Sequence, residues 1–380
     1  EFIMFSTSLQ EAFTISTSNV SKISLSQSVL SNKITLAKSL YFNGTHKKGH
    51  TIEEDDLCLR SPAIGLDASN TGLFIGKELV QDIEDGDLAE IENLGLGLTN
   101  QKLDPKQRCS TDWGIPVRYR DLDQIVDIFN PNFVEFHMSL NDIRRRVEIL
   151  SHYNLTFSIH CPELMDDDEL LNLVSDSQLV QSRSVDFVKK VIDVAVDLKS
   201  NFESCNPHLI INCGGFSQNE SSNSALLSRC ISILDGINNY ASGQVQLRPQ
   251  SMPPFPWHFG GRSTHNLFVD LLDFKLLNES IGLKGCLDLS HTALMCNHFG
   301  LNFYDTISKH LNCFDYLHVA DASGVDGEGL SIGQGELNFA RIAEIFITNN
   351  VTFRWIPEIW QGHLNNYRGF QVALNKLSIT

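Results

Sequence analysis

No run of roughly 18 apolar residues occurs in this sequence, which argues against a membrane-spanning helix. Positive charge is scarce. The 380 residues hold 29 Lys and Arg against 46 Asp and Glu, a formal net charge of −17. Such a balance opposes the Lys and Arg contacts to phosphate on which non-specific nucleic-acid binding depends. No two of the nine cysteines stand in a C-x-x-C spacing, and their number is odd. That pattern argues against a disulfide framework and a cysteine-only zinc site. With no signal segment at its start either, the chain is expected in a reducing cytoplasm. A glycine-rich nucleotide loop is also missing where an open doubly wound sheet would place one, because the first strand of the repeat region runs into Val117-Arg-Tyr-Arg-Asp121. The sequence opens with Glu1-Phe2 rather than Met and is read as part of something longer.

What is present is an ordinary globular composition, 42% hydrophobic and 20% charged. Residues 1–36 are rich in Ser and Thr with weak periodicity, and are expected to be a linker or the tail of a preceding domain. Residues 37–95 break into short strands and turns, the pattern of a small all-β domain near the lower size limit for independent folding. Residues 96–112 form a polar loop and mark a boundary. From 113 to 380 strand-like and helix-like patterns alternate eight times. The strands are expected over Gly114–Arg120, Phe133–Met138, Thr156–His160, His208–Cys213, Val245–Gln250, Gly285–His291, Tyr316–Asp321 and Phe353–Trp360. The clearest helices between them cover Asn141–His152, Ser182–Lys199, Ala225–Tyr240, Thr264–Glu279 and Phe339–Asn349. Eight such units predict an α/β fold, a (β/α)8 TIM barrel, behind the small β domain.

The C-terminal ends of barrel strands converge on one face, which carries the chemistry in this architecture. Strands two to eight supply Glu135 and His137, His160 and Glu163, Asn212, Arg248 and Gln250, Asp288 and His291, His318 and Asp321, and Glu358. Residues two apart on a strand share a face, so Glu135 and His137 can both point inward. One ionisable group at a strand end is commonplace, whereas seven strands in succession are not. The Asp, His and Glu mixture suits zinc, manganese, cobalt or magnesium and needs no thiolate. Gln250–Gly261 is a stiff aromatic loop after strand five, where Phe255, Trp257 and His258 could wall a sugar site. The glycine-rich run Asp321–Gly335 offers backbone amides to a phosphate or to hydroxyls.

Two resemblances rest on these residues. Ser39-Leu-Tyr, Lys48-Gly, Ile52-Glu-Glu-Asp-Asp-Leu, Arg60-Ser-Pro-Ala-Ile-Gly65, Ile75-Gly-Lys and Asp82-Ile-Glu-Asp-Gly86 resemble the antifreeze-like (SAF, β-clip) domain of sialic acid synthases. That domain follows a synthase barrel, so the resemblance implies an upstream synthase barrel as partner, and a homodimer in which the domain caps the other subunit's site. The family's substrate-reaching Arg falls on Ser61 here. Leu287-Asp-Leu-Ser-His291, His318-Val-Ala-Asp321, Ile332-Gly-Gln-Gly335 and Pro357-Glu358 resemble the xylose isomerase-like barrels shared by sugar isomerases, sugar epimerases and apurinic endonucleases. Gly114-Ile-Pro-Val-Arg-Tyr, Val134-Glu-Phe-His-Met-Ser, Met252-Pro-Pro-Phe-Pro-Trp and Ile356-Pro-Glu-Ile-Trp resemble a barrel fused behind sialic acid synthase-like proteins.

The barrel resemblance implies one divalent metal ion (Mn, Mg, Co or Zn) held by Asp288, His318, Glu358 and Gln250, which end neighbouring strands five to eight. It implies Glu358 as the base acting on a sugar or sugar phosphate. The isomerase and epimerase members carry a Glu on strand five where this chain has Gln250, so Glu163 or His160 would take that group's part. His291, His137, Glu135, Arg248, Trp257, His258 and Asp321 are expected to contact substrate. The endonuclease members carry Asp-x-His before Ile-Gly-x-Gly, where this chain reads Gly327-Glu-Gly329. Three functions stay open: a metal-dependent sugar isomerase or epimerase serving sialic (nonulosonic) acid or surface-polysaccharide synthesis, a non-catalytic barrel that scaffolds or regulates a synthase, and an apurinic-site endonuclease.

Overall fold

The computed structural model describes residues 36–66, 68–94, 112–145, 149, 151–166, 169–203, 205–217, 224–255 and 263–377. In its N-terminal part β1 (Ser39–Phe42) pairs antiparallel with β2 (Leu57–Arg60), Ser39 opposite Arg60. Single antiparallel rungs tie Tyr41 to Leu88, His46 to Ile83 and Thr51 to Glu78. These turns bury Leu40, Phe42, Ile52, Phe74, Leu79, Ile83 and Ala89 in a core of their own. The expected tail 1–36 lies outside the described residues apart from Leu36. So does the expected linker 96–112, apart from Asp112, which already belongs to the barrel: its carbonyl accepts from Trp355 N at 3.0 Å.

The remaining strands, in chain order, are β3 (Gly114–Val117), β4 (Phe133–His137), β5 (Thr156–His160), β6 (His208–Ile211), β7 (Phe216–Ser217), β8 (Gln246–Pro249), β9 (Thr264–His265), β10 (Gly285–Asp288), β11 (Phe314–Val319), β12 (Asp321–Ser323), β13 (Gly327–Leu330) and β14 (Arg354–Pro357). Strands β3, β4, β5, β6 and β8 form one parallel ladder, and β10, β11 and β14 another. Parallel rungs between Gln250 and Cys286 and between Trp113 and Trp355 join the two into a closed ring of eight. Near-continuous apolar runs are what such strands need, because both faces are covered. Inside the ring, Phe133, Ile210, Cys286, Tyr316 and Ile356 form one buried cluster. Gly114 is required there, since a Cβ would sit 2.6 Å from the Phe133 ring.

Helices α1 (Leu122–Phe129), α2 (Leu140–Arg145), α3 (Gln178–Leu198), α4 (Ser224–Ala241), α5 (Leu272–Ile281), α6 (Leu289–Phe299), α7 (Phe303–His310), α8 (Phe339–Thr348) and α9 (Leu364–Leu377) cover the outside. Helix α3 buries Phe187, Val188, Val191, Ile192, Ala195 and Leu198 at helical spacing and starts at a Ser177 cap. No helix among the described residues is long and apolar enough to cross a membrane. Two element expectations need correction. Thr264 does not begin a helix. Thr264–His265 pairs with Phe216–Ser217, and α5 waits for Leu272, where Asp270 Oδ1 accepts from Leu272 N and Asp273 Oδ2 from Phe268 N. His291 is not at a strand end but in the first turn of α6, because Asp288 caps that helix by accepting from His291 N at 2.9 Å.

The strand-start end of the barrel holds a polar floor. His208 Nε2 lies 3.1 Å from Gln246 Oε1, and its ring stands edge-on to Tyr316. Burial, reinforced by the Arg248 charge, lowers the pKa of His208 to about 3. The unfolded ring therefore binds a proton that the folded one refuses. Stability present above about pH 6.5 should fall as pH drops towards 3, by up to about 1.4 kcal/mol per pH unit for this one group. In a His208→Gln variant, urea titrations between about pH 4 and 6 should show a shallower acid limb by that one proton. An unchanged slope would mean that His208 titrates normally.

Candidate active site

At the opposite end, inward-facing groups gather around His318. Tyr316 and His318 share the interior face of β11, and Glu135 and His137 that of β4. His318 is fully buried. Its Nδ1 lies 2.7 Å from Glu358 Oε2, 3.1 Å from Gln250 Nε2 and 3.9 Å from Asp288 Oδ2. Its Nε2 lies 3.2 Å from Glu135 Oε1. Glu135, also fully buried, accepts from Tyr316 Oη at 2.6 Å and from His137 Nε2 at 2.9 Å. Burial opposes ionisation of Glu135, but the adjacent His318 and His137 outweigh it and hold the carboxyl far below its usual range. Burial likewise opposes a charged His318. The Cys286 sulfur, Glu358 and Glu135 raise it well above an ordinary histidine. The two carboxylates do this work, since the Cys286 thiol is itself pushed up to about 12 and is neutral. Glu358 is held well below the usual range because His318 overcomes its desolvation.

This arrangement fits a divalent cation. His160, His318 and Glu358 each offer one donor atom, and the three lie within 4.8 Å of one another. Glu135 on His318 Nε2 fixes the ring and leaves Nδ1 facing the cluster, the outer carboxylate support typical of a metal-binding histidine. Asp288 Oδ2 and the Gln250 amide border the same point. Gln250 Nε2 donates to Asp288 at 3.1 Å, while its Oε1 faces His160 Nε2 at 3.1 Å. A half-turn of that amide presents oxygen instead of nitrogen. His160, expected as a proton carrier, thus stands among the donor atoms.

Residues 124–376 match the family described as the xylose isomerase-like TIM barrel. The chain belongs to that family. Among solved structures, a D-tagatose 3-epimerase-like protein superposes with a TM-score of 0.53 at 18% identity, over 71% of this chain and 98% of its own. An L-ribulose 3-epimerase reaches 0.48 at 16%, over 66% and 82%. At 18% identity the likeness to the first is one of fold. A Methanocaldococcus jannaschii protein described as "Uncharacterized protein MJ1614" is 27% identical over 195 residues, 51% of this chain and 66% of that relative's length.

Within this family barrel the other expected contacts divide. His291 faces the mouth. Its Nδ1 lies 2.9 Å from Ser251 O, and its Nε2 3.6 Å from Glu328 Oε2. Burial lowers its pKa, but Asp288 and Glu328 outweigh this and raise it. Glu163 Oε1 accepts from Asn212 Nδ2 at 3.2 Å. His137 sits beside the cluster, its ring 5.0 Å from that of His160. Glu135 is not a substrate contact: it lies beneath the histidines and holds them. Arg248 is not one either. Its guanidinium turns back to Gln246 Oε1 and the Leu247 carbonyl and grips Asp315, one of its two bonds at 2.7 Å, in the floor. Asp321 is fully buried and serves the loop behind it. Oδ2 accepts from Gly333 N and Gly335 N, Oδ1 from Ala322 N and Leu337 N, all within 2.8–3.0 Å. Three amides of the glycine-rich run, those of Ala322, Gly333 and Gly335, are therefore spent on Asp321 instead of facing a phosphate. Trp257 and His258 lie outside the described residues.

Sequence reasoning missed Glu328 and Ser251. Burial pushes Glu328 up to about 7 against the pull of His291. Only the antiparallel β12–β13 hairpin, Asp321 opposite Leu330, brings it back over α6. Ser251 Oγ accepts from Asp288 N at 2.8 Å, and its carbonyl orients His291. No motif marks either residue.

Proposed function

We propose that this barrel is a divalent-metal-dependent isomerase or epimerase of a sugar or sugar phosphate. The observation that carries the reading is the His318 cluster, in which a buried carboxylate fixes an imidazole whose other nitrogen faces Glu358, Asp288, Gln250 and His160. Asp288, His318, Glu358 and His160 are the holding set, with Gln250 oxygen available to it. A cation bound there would supply Lewis-acid polarisation of a sugar carbonyl or hydroxyl. Glu358, ionised and partly open, takes the carbon-bound proton beside that group. Gln250 cannot relay a proton, so return of the proton on the far side falls to Glu163 or to the His291–Glu328 pair. His137 and His291 orient hydroxyls. The link to sialic acid synthesis rests on the resemblance of residues 37–95 to antifreeze-like domains, and a cap over a partner's site is the role it suggests.

A second reading, a barrel that scaffolds a synthase, draws on Gln250 alone. Metal-stripped protein should be reloaded with Mn, Mg, Co or Zn and offered free and phosphorylated ketoses and N-acetylamino sugars. Turnover that a chelator abolishes and one metal restores is expected. Metal binding without turnover on any of these sugars would favour the scaffold. Cleavage of abasic DNA would replace both.

A further inference from the structure

A second donor cluster lies in the N-terminal unit, whose core is separate from that of the barrel. His46 is locked on a two-bond rung, its N donating to Ile83 O at 2.9 Å and its O accepting from Ile83 N at 2.8 Å. Four residues on, His50 is held by Leu79 N, which donates to its carbonyl at 2.9 Å. The turn between them needs Gly49, at φ +86°. Asp56 closes a 3-10 turn over Glu54–Asp56, and its Oδ2 accepts from Glu53 N at 2.8 Å. Its carbonyl accepts from Asn43 N at 2.8 Å. Bonds from four segments therefore fix the backbone at His46, His50 and Asp56, and that of Glu53 N also holds the Asp56 carboxylate.

The two imidazoles stack with centroids 4.5 Å apart. His50 Nε2 is 2.6 Å from Asp56 Oδ2, and His46 Nε2 is 3.6 Å from Asp56 Oδ1. All three donor atoms fall within 4.8 Å of one another. Ligands around a tetrahedral zinc at about 2.0–2.1 Å stand roughly 3.3 Å apart, and the two observed gaps straddle that value. His46 Nε2 donates to the Asn43 carbonyl at 2.9 Å, so this nitrogen would give up its proton on binding a metal and leave that oxygen within reach of the ion. The Lys47 cation is turned elsewhere: its Nζ donates to Asp82 Oδ2 at 2.8 Å. His50 keeps 36% of its side-chain surface exposed, which leaves a route in.

We propose that His46, His50 and Asp56 bind a transition-metal ion of the zinc class, in a structural site independent of the barrel mouth. Two neutral imidazoles and one carboxylate are a donor set that zinc accepts, with an oxygen completing it. The physical benefit is plain. A unit whose own core is seven side chains is in the size range that natural domains staple with a metal.

The full chain should be stripped with a chelator, incubated with Zn2+, desalted and its zinc counted. A His46→Gln/His50→Gln variant should retain one equivalent less than wild type, while the barrel-bound equivalent remains. In wild type, Zn2+ should slow amide exchange over residues 43–56 by ~10-fold or more. That exchange reading needs no variant, so a misfolded double mutant leaves the test intact. Equal zinc in both proteins, or protection confined to barrel segments, would overturn the site. Loss of the barrel equivalent alone would count against the proposed function and leave this site standing.

Discussion

Glu358→Gln should lower sugar turnover by about 10²–10⁴-fold, the contribution of a positioned general base. The side chain keeps its shape and can still bond His318. It loses the negative charge that, in the proposed function, would both remove a proton and balance a cation. Metal affinity should fall in the same variant, because one of the two carboxylates bordering His318 Nδ1 becomes a neutral amide. Folding should change little, since Glu358 is partly open to solvent and its 28% exposed side chain is readily rehydrated. Kinetics with metal analysis on the same preparations check this. Full turnover and full metal together would remove Glu358 from its role.

The second large effect is on stability. Asp321→Asn should destabilise the barrel by about 2–6 kcal/mol, because two buried donors would lose their acceptor at roughly 1–3 kcal/mol each. Asp321 accepts four backbone N–H groups. An amide nitrogen replacing Oδ2 would face two donors, Gly333 N and Gly335 N, and the loop has no slack to turn away. A Cβ on Gly335 would meet Ala322 O at 2.2 Å, which shows how tightly the segment is drawn onto the carboxylate. Chemical denaturation should show the loss, and a midpoint near wild type would contradict it.

These two residues also show how far the sequence could be read. Asp288, His318 and Glu358 were legible because each ends an apolar run too short for a helix, and a closed parallel barrel leaves those ends one place to meet. Thr156–His160 even has the bounds expected of it. Asp321 looked the same in sequence as His318 three residues earlier. It belongs to another class because the chain turns after Ala320, and the next side chain goes to backbone amides. Arg248 misled for a related reason. Spacing gives the face on which a side chain emerges, but a long guanidinium can lie back along the strand to an acid such as Asp315, and only packing selects the direction. Helix α1 escaped notice because Asp123 and Asp127 interrupt a short apolar stripe, although Asp121 and the left-handed Asn130 mark its ends. Glu328 was hidden because a hairpin, not a strand end, delivers it.

The proposed function requires proton transfer at a sugar carbon at the His318 cluster. Its most direct test is solvent deuterium wash-in: metal-loaded protein with a ketohexose in D2O, followed by proton NMR at the carbon beside the carbonyl. Exchange at that carbon that ceases on chelation and in Glu358→Gln is the predicted result. A product formed with no solvent deuterium at that carbon, or exchange indifferent to both changes, would contradict it.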